Sequence, residues 1–193
     1  MDKIHIEKGS VQETLIIPLY GRKLCAEKFP TLYQDKYAAK ICESIDYDFS
    51  KLKSKENSAM YQFGALEGAM REKDMLWEIA DYLKTHPKAA VVNLGCGLNM
   101  TGRTADNGTC CIYNLDFPDV IKSRNEIISA GEREENIACD LNDFSWMDKI
   151  NAKDGAILYA AGVFHYFTTQ QIKNMVIAMA EKFPGGRLVF DAV

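Results

Sequence analysis

Four short apolar runs in this chain end in glycines or acids, and that combination is the chemistry of a nucleoside-binding rim. The first run, Ala89-Ala90-Val91-Val92-Asn93-Leu94, ends in Gly95-Cys96-Gly97. Glycines at such a place let the backbone turn tightly and approach a ligand with no Cβ in the way. The second, Cys110-Cys111-Ile112-Tyr113-Asn114-Leu115, ends in Asp116, roughly 20 residues beyond the glycines, where a carboxylate accepts hydrogen bonds from both hydroxyls of a ribose. The third ends in Asp140-Leu141. Asp140 can bond an adenine amino group while Leu141 covers the ring. The fourth ends in Ala160-Ala161-Gly162-Val163-Phe164-His165-Tyr166. Its small residues leave room for a ligand. His165 is the base candidate there, and Tyr166 can line a pocket with its ring while its hydroxyl bonds.

Each piece also has a plainer reading. A lone G-x-G is usually a turn. Asp116 can serve only as the N-cap of a helix opening near Pro118. Asp140 can be a turn residue, and His165 a packing residue at a helix entry. Order and spacing carry the weight, because glycines, an acid and a second acid follow one another at three successive strand ends. A dinucleotide site would use G-x-G-x-x-G. Here Met100 stands at the third glycine position, which removes the residue that packs helix to strand under a pyrophosphate. S-adenosylmethionine (SAM) has no pyrophosphate, so the pattern favours SAM over NAD.

Positioning these residues requires a strand–helix alternation, and the second half of the chain has one. Residues 87–193 read as five strands, near 89–94, 110–116, 136–140, 155–160 and 187–191, with helices from Pro118 to about Ile128 and from the capping box Thr168…Gln171 onward. The latter helix turns Ile172, Met175, Val176 and Met179 inward. Such alternation builds a parallel sheet with helices on both faces and a ligand at the strands' carboxyl ends. Residues 1–86 read as helices. Ser10-Val11-Gln12-Glu13 fits a capping box, and the helix after it is expected to break near Pro18 and Gly21. Asp35 caps a second helix. Ser58 opens a third running to about Thr85, with Met75, Ile79, Tyr82 and Leu83 on its apolar face, and His86-Pro87 ends it. The run Lys51, Lys53, Lys55 reads as a solvated face.

Composition is ordinary for a globular domain and does not oppose a small-molecule enzyme. The 193 residues are 47% hydrophobic and 26% charged, with a net charge of -4. That mild acidity argues against a nucleic-acid partner. The six cysteines, Cys25, Cys42, Cys96, Cys110, Cys111 and Cys139, form no C-x-x-C pair, and they read as free thiols in a reducing cytoplasm. No metal site is expected. No apolar run is long enough for a bilayer span, and the start has no secretory pattern.

With these residues in view, the chain resembles the leucine carboxyl methyltransferase-like superfamily, in particular its tetracenomycin-type polyketide O-methyltransferase branch. The stretches that carry the resemblance are Val11-Gln12-Glu13-Thr14-Leu15, Pro18-Leu19-Tyr20-Gly21-Arg22, Ile45-Asp46-Tyr47-Asp48-Phe49, Asn93-Leu94-Gly95-Cys96-Gly97-Leu98, Asp106-Asn107-Gly108, Leu115-Asp116-Phe117-Pro118-Asp119-Val120-Ile121, Ala161-Gly162-Val163-Phe164, Tyr166-Phe167 and Phe183-Pro184-Gly185-Gly186. The resemblance implies a Rossmann-like class I methyltransferase fold in 87–193, under a helical N-terminal lid in 1–86. It also implies roles. Arg71 matches the arginine that holds the SAM carboxylate, where the residue alone reads as a surface helix charge. Gly95, Cys96 and Gly97 match the methionine-side turn and Asp116 the ribose acid. Asp140 and Leu141 match the adenine contacts, and Ala161 and Gly162 the strand end near the sulfonium. Tyr20 and Arg22 reach over the site from the lid.

Three departures matter. Asn99 stands where relatives often have aspartate. Ala161 replaces a glutamate found in protein carboxyl methyltransferases, which disfavours that activity. Relatives continue past the fifth strand with two more, so the chain is expected to lack those strands and to pair through its free edge as a homodimer, or to be an unstable fragment. The expected function is SAM-dependent methyl transfer to a hydroxyl of a small polyketide-like molecule. The alternatives are C-terminal carboxyl methylation of a protein and SAM binding without turnover.

Overall fold

The computed structural model describes residues 3–6 and 13–191. The capping box expected at Ser10 lies largely outside them. The chain divides into two compact units, residues 1–73 with 122–129 and residues 74–121 with 130–193.

The first unit is mainly helical. In chain order come β1 (Ile4–His5), α1 (Glu13–Lys28), α2 (Ala38–Ser44), β2 (Ile45–Asp46), α3 (Ser50–Lys53) and the opening turns of α4 (Ala59–Thr85). β1 and β2 pair in parallel. The break expected in the first helix does not occur, since α1 runs through Pro18 and Gly21 without interruption. Pro18 removes one helical hydrogen bond, but its ring is exposed while Ile16, Leu19, Tyr20, Leu24 and Cys25 are buried. Burying that many apolar side chains outweighs the lost bond. Asp35 caps α2 as expected, its Oδ1 accepting from the Tyr37 and Ala38 amides at 2.7 and 2.8 Å.

The same Asp35 belongs to a buried polar cluster. Arg22 Nε lies 3.4 Å from Asp35 Oδ2, and Arg22 Nη1 lies 3.5 Å from Glu72 Oε1. The Tyr33 hydroxyl donates to Glu72 Oε2 at 2.6 Å. Burial, and then the Glu72 charge, push the Tyr33 phenol far above its ordinary range. Burial works against the Arg22 charge, but Glu72 and Asp35 more than offset it and keep the guanidinium charged.

The second unit holds the sheet. It contains the rest of α4, then β3 (Ala90–Leu94), α5 (Thr101–Thr104), β4 (Cys111–Asp116), the start of α6 (Pro118–Ile127), β5 (Glu134–Ala138), β6 (Ala156–Ala160), α7 (Thr169–Lys182) and β7 (Arg187–Phe190). The order is β5-β4-β3-β6-β7 and every pair is parallel. Strand order therefore reverses at β3, where the crossovers leave in opposite directions. This is a Rossmann-like α/β sheet. β3 and β6 are buried along their whole length, as central strands covered on both faces must be.

Alternation along β3 sends its residues to two cores. Val92 and Leu94 join Leu115, Leu158, Met175 and Met179 on the α7 face. Val91 joins Met75, Ile79, Tyr82, Ile112 and Ile157 on the α4 face. The Thr168 and Gln171 side chains cap α7 reciprocally, as expected. β5 begins two residues before its expected start at Asn136. Glu134 enters the strand because its buried carboxylate is paired with Arg103 and accepts from Asn114 Nδ2 at 2.7 Å. No helix among the described residues is long and apolar enough to cross a membrane.

Candidate functional site

The carboxyl ends of β3, β4, β5 and β6 form one continuous rim. After β3 the backbone turns at Gly95 and Gly97, with φ of 65° and 47°, a region that L side chains avoid. A Cβ on Gly95 would fall 2.6 Å from Val163 Cγ2, so the turn after β3 and the loop after β6 touch at that point. Cys96 is buried, and its amide donates to the Leu115 carbonyl at 2.9 Å.

Asp116, at the end of β4, holds this turn. Its Oδ2 accepts from the Gly97 amide at 2.8 Å and its Oδ1 from the Phe117 amide at 2.8 Å. The Asp116 carbonyl accepts from the Cys139 amide at 2.9 Å, which places the end of β5 alongside. Asp140 follows at once. Its Oδ1 accepts from the Asn142 amide and side chain at 2.9 and 3.0 Å, a local Asx-type turn. Leu141 is buried in the α7-side core. Burial pushes the neighbouring Cys139 thiol up to about 11, with Lys149 pulling partly the other way.

At the end of β6, Ala161 and Gly162 are half-buried. The Gly162 amide donates to both carboxylate oxygens of Asp191, at 2.8 and 3.1 Å. The loop then forms a short 3₁₀ turn, Phe164–Tyr166. His165 and Tyr166 are exposed, with ring centroids 4.0 Å apart.

The rim thus brings together Gly95, Cys96, Gly97, Asp116, Asp140, Ala161 and Gly162. Arg71 lies on α4 within the first unit, half-buried. Tyr20 and Arg22, expected to reach over the site, are instead committed within their own unit. Tyr20 is buried, its hydroxyl donates to Glu56 and its ring stacks on Phe49, while Arg22 is held by Asp35 and Glu72.

Three residues escaped the reading of the sequence. Asp191 is one. Gly102 is the second, where a Cβ would lie 2.9 Å from Ile112 Cγ2 and 3.3 Å from the Tyr159 hydroxyl. Tyr159 is the third, its buried hydroxyl accepting from the Gly102 amide at 3.0 Å. Gly102 supplies the close helix–strand packing that Met100 was expected to forfeit, two positions later. The signal was available, since a glycine within a helical turn just past a glycine-rich loop has a packing reason.

A family described as leucine carboxyl methyltransferase matches residues 20–180, most of the chain. The chain belongs to the leucine carboxyl methyltransferase family. The family's chemistry is SAM-dependent methyl transfer, with SAM as the cofactor. Among relatives, the chain is 28% identical over 189 residues to the tetracenomycin polyketide synthesis O-methyltransferase TcmP of Streptomyces glaucescens, covering 97% of this chain and 68% of that protein. It is 24% identical over 208 residues to the S-adenosyl-L-methionine-dependent methyltransferase dpfgK of Gibberella zeae, covering 100% of this chain and 69% of that one. A solved O-methyltransferase family protein from Burkholderia thailandensis is 18% identical, with a TM-score of 0.49 over 90% of this chain and 53% of that one. The chain therefore spans about half the length of that protein.

Proposed function

We propose that this chain transfers a methyl group from SAM to a hydroxyl of a small polyketide-like molecule. The observation that carries the proposal is the clasp between Asp116 and the Gly97 amide. It holds a glycine turn at the point where strand order reverses, the place where such sheets bind their ligands. The name of the Streptomyces relative points to the acceptor class.

The residues present fit SAM. The methionine portion lies along Gly95, Cys96 and Gly97, where the backbone turns through two glycines of positive φ. Asp116, at the end of β4, presents its carboxylate beside the glycine turn, where it can accept from the ribose hydroxyls. Asp140 accepts from the adenine amino group and Leu141 adds apolar surface beside it. Ala161 and Gly162 leave space at the methyl end. Arg71 is assigned to the carboxylate on the resemblance alone. Bound SAM supplies a methyl carbon already activated by its sulfonium. What this chain adds is positioning of the acceptor oxygen, with Tyr166 lining the acceptor side and His165 taking the hydroxyl proton at a ring nitrogen.

Calorimetry with SAM and with its demethylated product tests the binding half, and absence of binding at millimolar concentration would overturn it. Transfer of labelled methyl to a panel of phenols and hydroxylated polyketides tests the acceptor. Label appearing only on the terminal carboxylate of a peptide would favour the carboxyl reading, which Ala161 opposes. Binding without label on any acceptor would favour a SAM-binding module.

A further inference from the structure

The rim carries two clasps of the same design. At one, an acid ending β4 accepts the amide of the turn after β3, Asp116 with Gly97 at 2.8 Å. At the other, an acid just past β7 accepts the amide of the turn after β6, Asp191 with Gly162 at 2.8 and 3.1 Å. In both, the glycine turn follows one strand and the acid sits at the carboxyl end of the strand paired beside it, β4 beside β3 and β7 beside β6. The second clasp has no place in the roles assigned above.

We propose that Asp191 is a positioning residue, which fixes the Ala161-Gly162 turn against the glycine turn of β3 and so preforms the methyl end of the donor site. Three observations lead there. Gly162 has φ of 69°, a conformation with no side chain of its own to lock it, so an external acceptor for its amide sets the turn. The next residue, Val163, lies where a Cβ of Gly95 would be, 2.6 Å from Cγ2, so movement of the turn alters the wall of the donor site directly. His165 and Tyr166 follow on the same loop, so its anchorage also sets where they stand. Phe164 packs on Phe190 with ring centroids 5.0 Å apart. That apolar contact seats the far half of the loop by itself and leaves Asp191 to act at Gly162. A carboxylate suits the task because a hydrogen bond to a charged acceptor is about twice as strong as a neutral one.

The inference rests on the reading that this rim holds SAM, and the test separates the two. Wild type, Asp191→Ala, Asp191→Asn and Asp191→Glu are compared by amide hydrogen exchange at Gly162 in the ligand-free protein and by calorimetric SAM affinity. In Asp191→Ala the Gly162 amide exchanges faster, and the SAM dissociation constant rises about tenfold or more, the loss expected when a charge-assisted hydrogen bond disappears. Asp191→Asn keeps a carbonyl acceptor at the same reach, and it restores both readings to within about threefold of wild type. Gly162 exchange that is the same in wild type and Asp191→Ala overturns the clasp, whether or not SAM binds. Faster exchange with unchanged SAM affinity overturns the positioning role. If Asp191→Ala does not fold, Asp191→Asn and Asp191→Glu still decide, because the longer glutamate must weaken SAM binding more than the isosteric amide does. If wild type binds no SAM, the donor reading falls, and the clasp itself is judged on the amide alone.

Discussion

At the residue scale, the acids of the rim act first on their own backbone. Asp116 was expected to face ribose hydroxyls, with a helix cap as the plainer alternative. The structure gives it a third task, holding the Gly97 amide. In the site proposed above, Asp116→Ala removes a ligand acceptor and loosens the turn together. Its SAM affinity is expected to fall by roughly 1.5–3 kcal/mol for each bond lost, measured by calorimetry. An affinity within error of wild type would leave Asp116 with a structural task only. Gly102 is a packing residue. Gly102→Val places branched carbons where Ile112 Cγ2 already stands 2.9 Å from a Cβ, and overpacking of that kind costs about 1–3 kcal/mol. A denaturant midpoint no lower than wild type would show that α5 shifts without penalty. The glycine turn and Asp116 were legible because types and spacing name them. Asp191 and Tyr159 were not, because their importance lies in which backbone amide they reach across the sheet.

At the element scale, capping and periodicity were read correctly where they are local. Asp35 at α2 and Thr168 with Gln171 at α7 are examples. The misjudged element was α1, where Pro18 and Gly21 announce a break that the buried face overrides. Asp35 also shows what local reading misses, since its Oδ2 faces Arg22 in the buried cluster. Arg22→Met is expected to destabilise the protein by about 3–5 kcal/mol, because it strands Asp35 and Glu72 without their cation. Chemical denaturation of the variant measures this. A loss below about 1 kcal/mol, the scale of an exposed pair, would show that the cluster is solvated in solution.

At the scale of the whole molecule, the buried phenols link stability to alkaline pH. Tyr33 is raised by burial and then by Glu72, and Tyr20 is raised in the same way by burial and Glu56. The folded phenols therefore keep their protons where an unfolded tyrosine, with a pKa of about 10, gives its own up. Deprotonation then favours the unfolded chain. The stabilisation is complete below about pH 10 and falls as pH rises beyond it. Thermal midpoints should accordingly be flat up to about pH 9 and drop above about pH 10, and Tyr33→Phe should lessen the drop. An unaltered slope in that variant would remove Tyr33 from the account. The sequence by itself determined the parallel α/β sheet, the glycine turn and the acids at its strand ends, because hydrophobic period, turn residues and spacing are local properties. Only the tertiary structure decided which amides those acids hold, that Gly102 replaces the missing third glycine, and that Tyr20 and Arg22 are spent inside the helical unit. Each of these depends on contacts between residues far apart in the chain; a local pattern can flag a glycine such as Gly102 but does not name what it packs on.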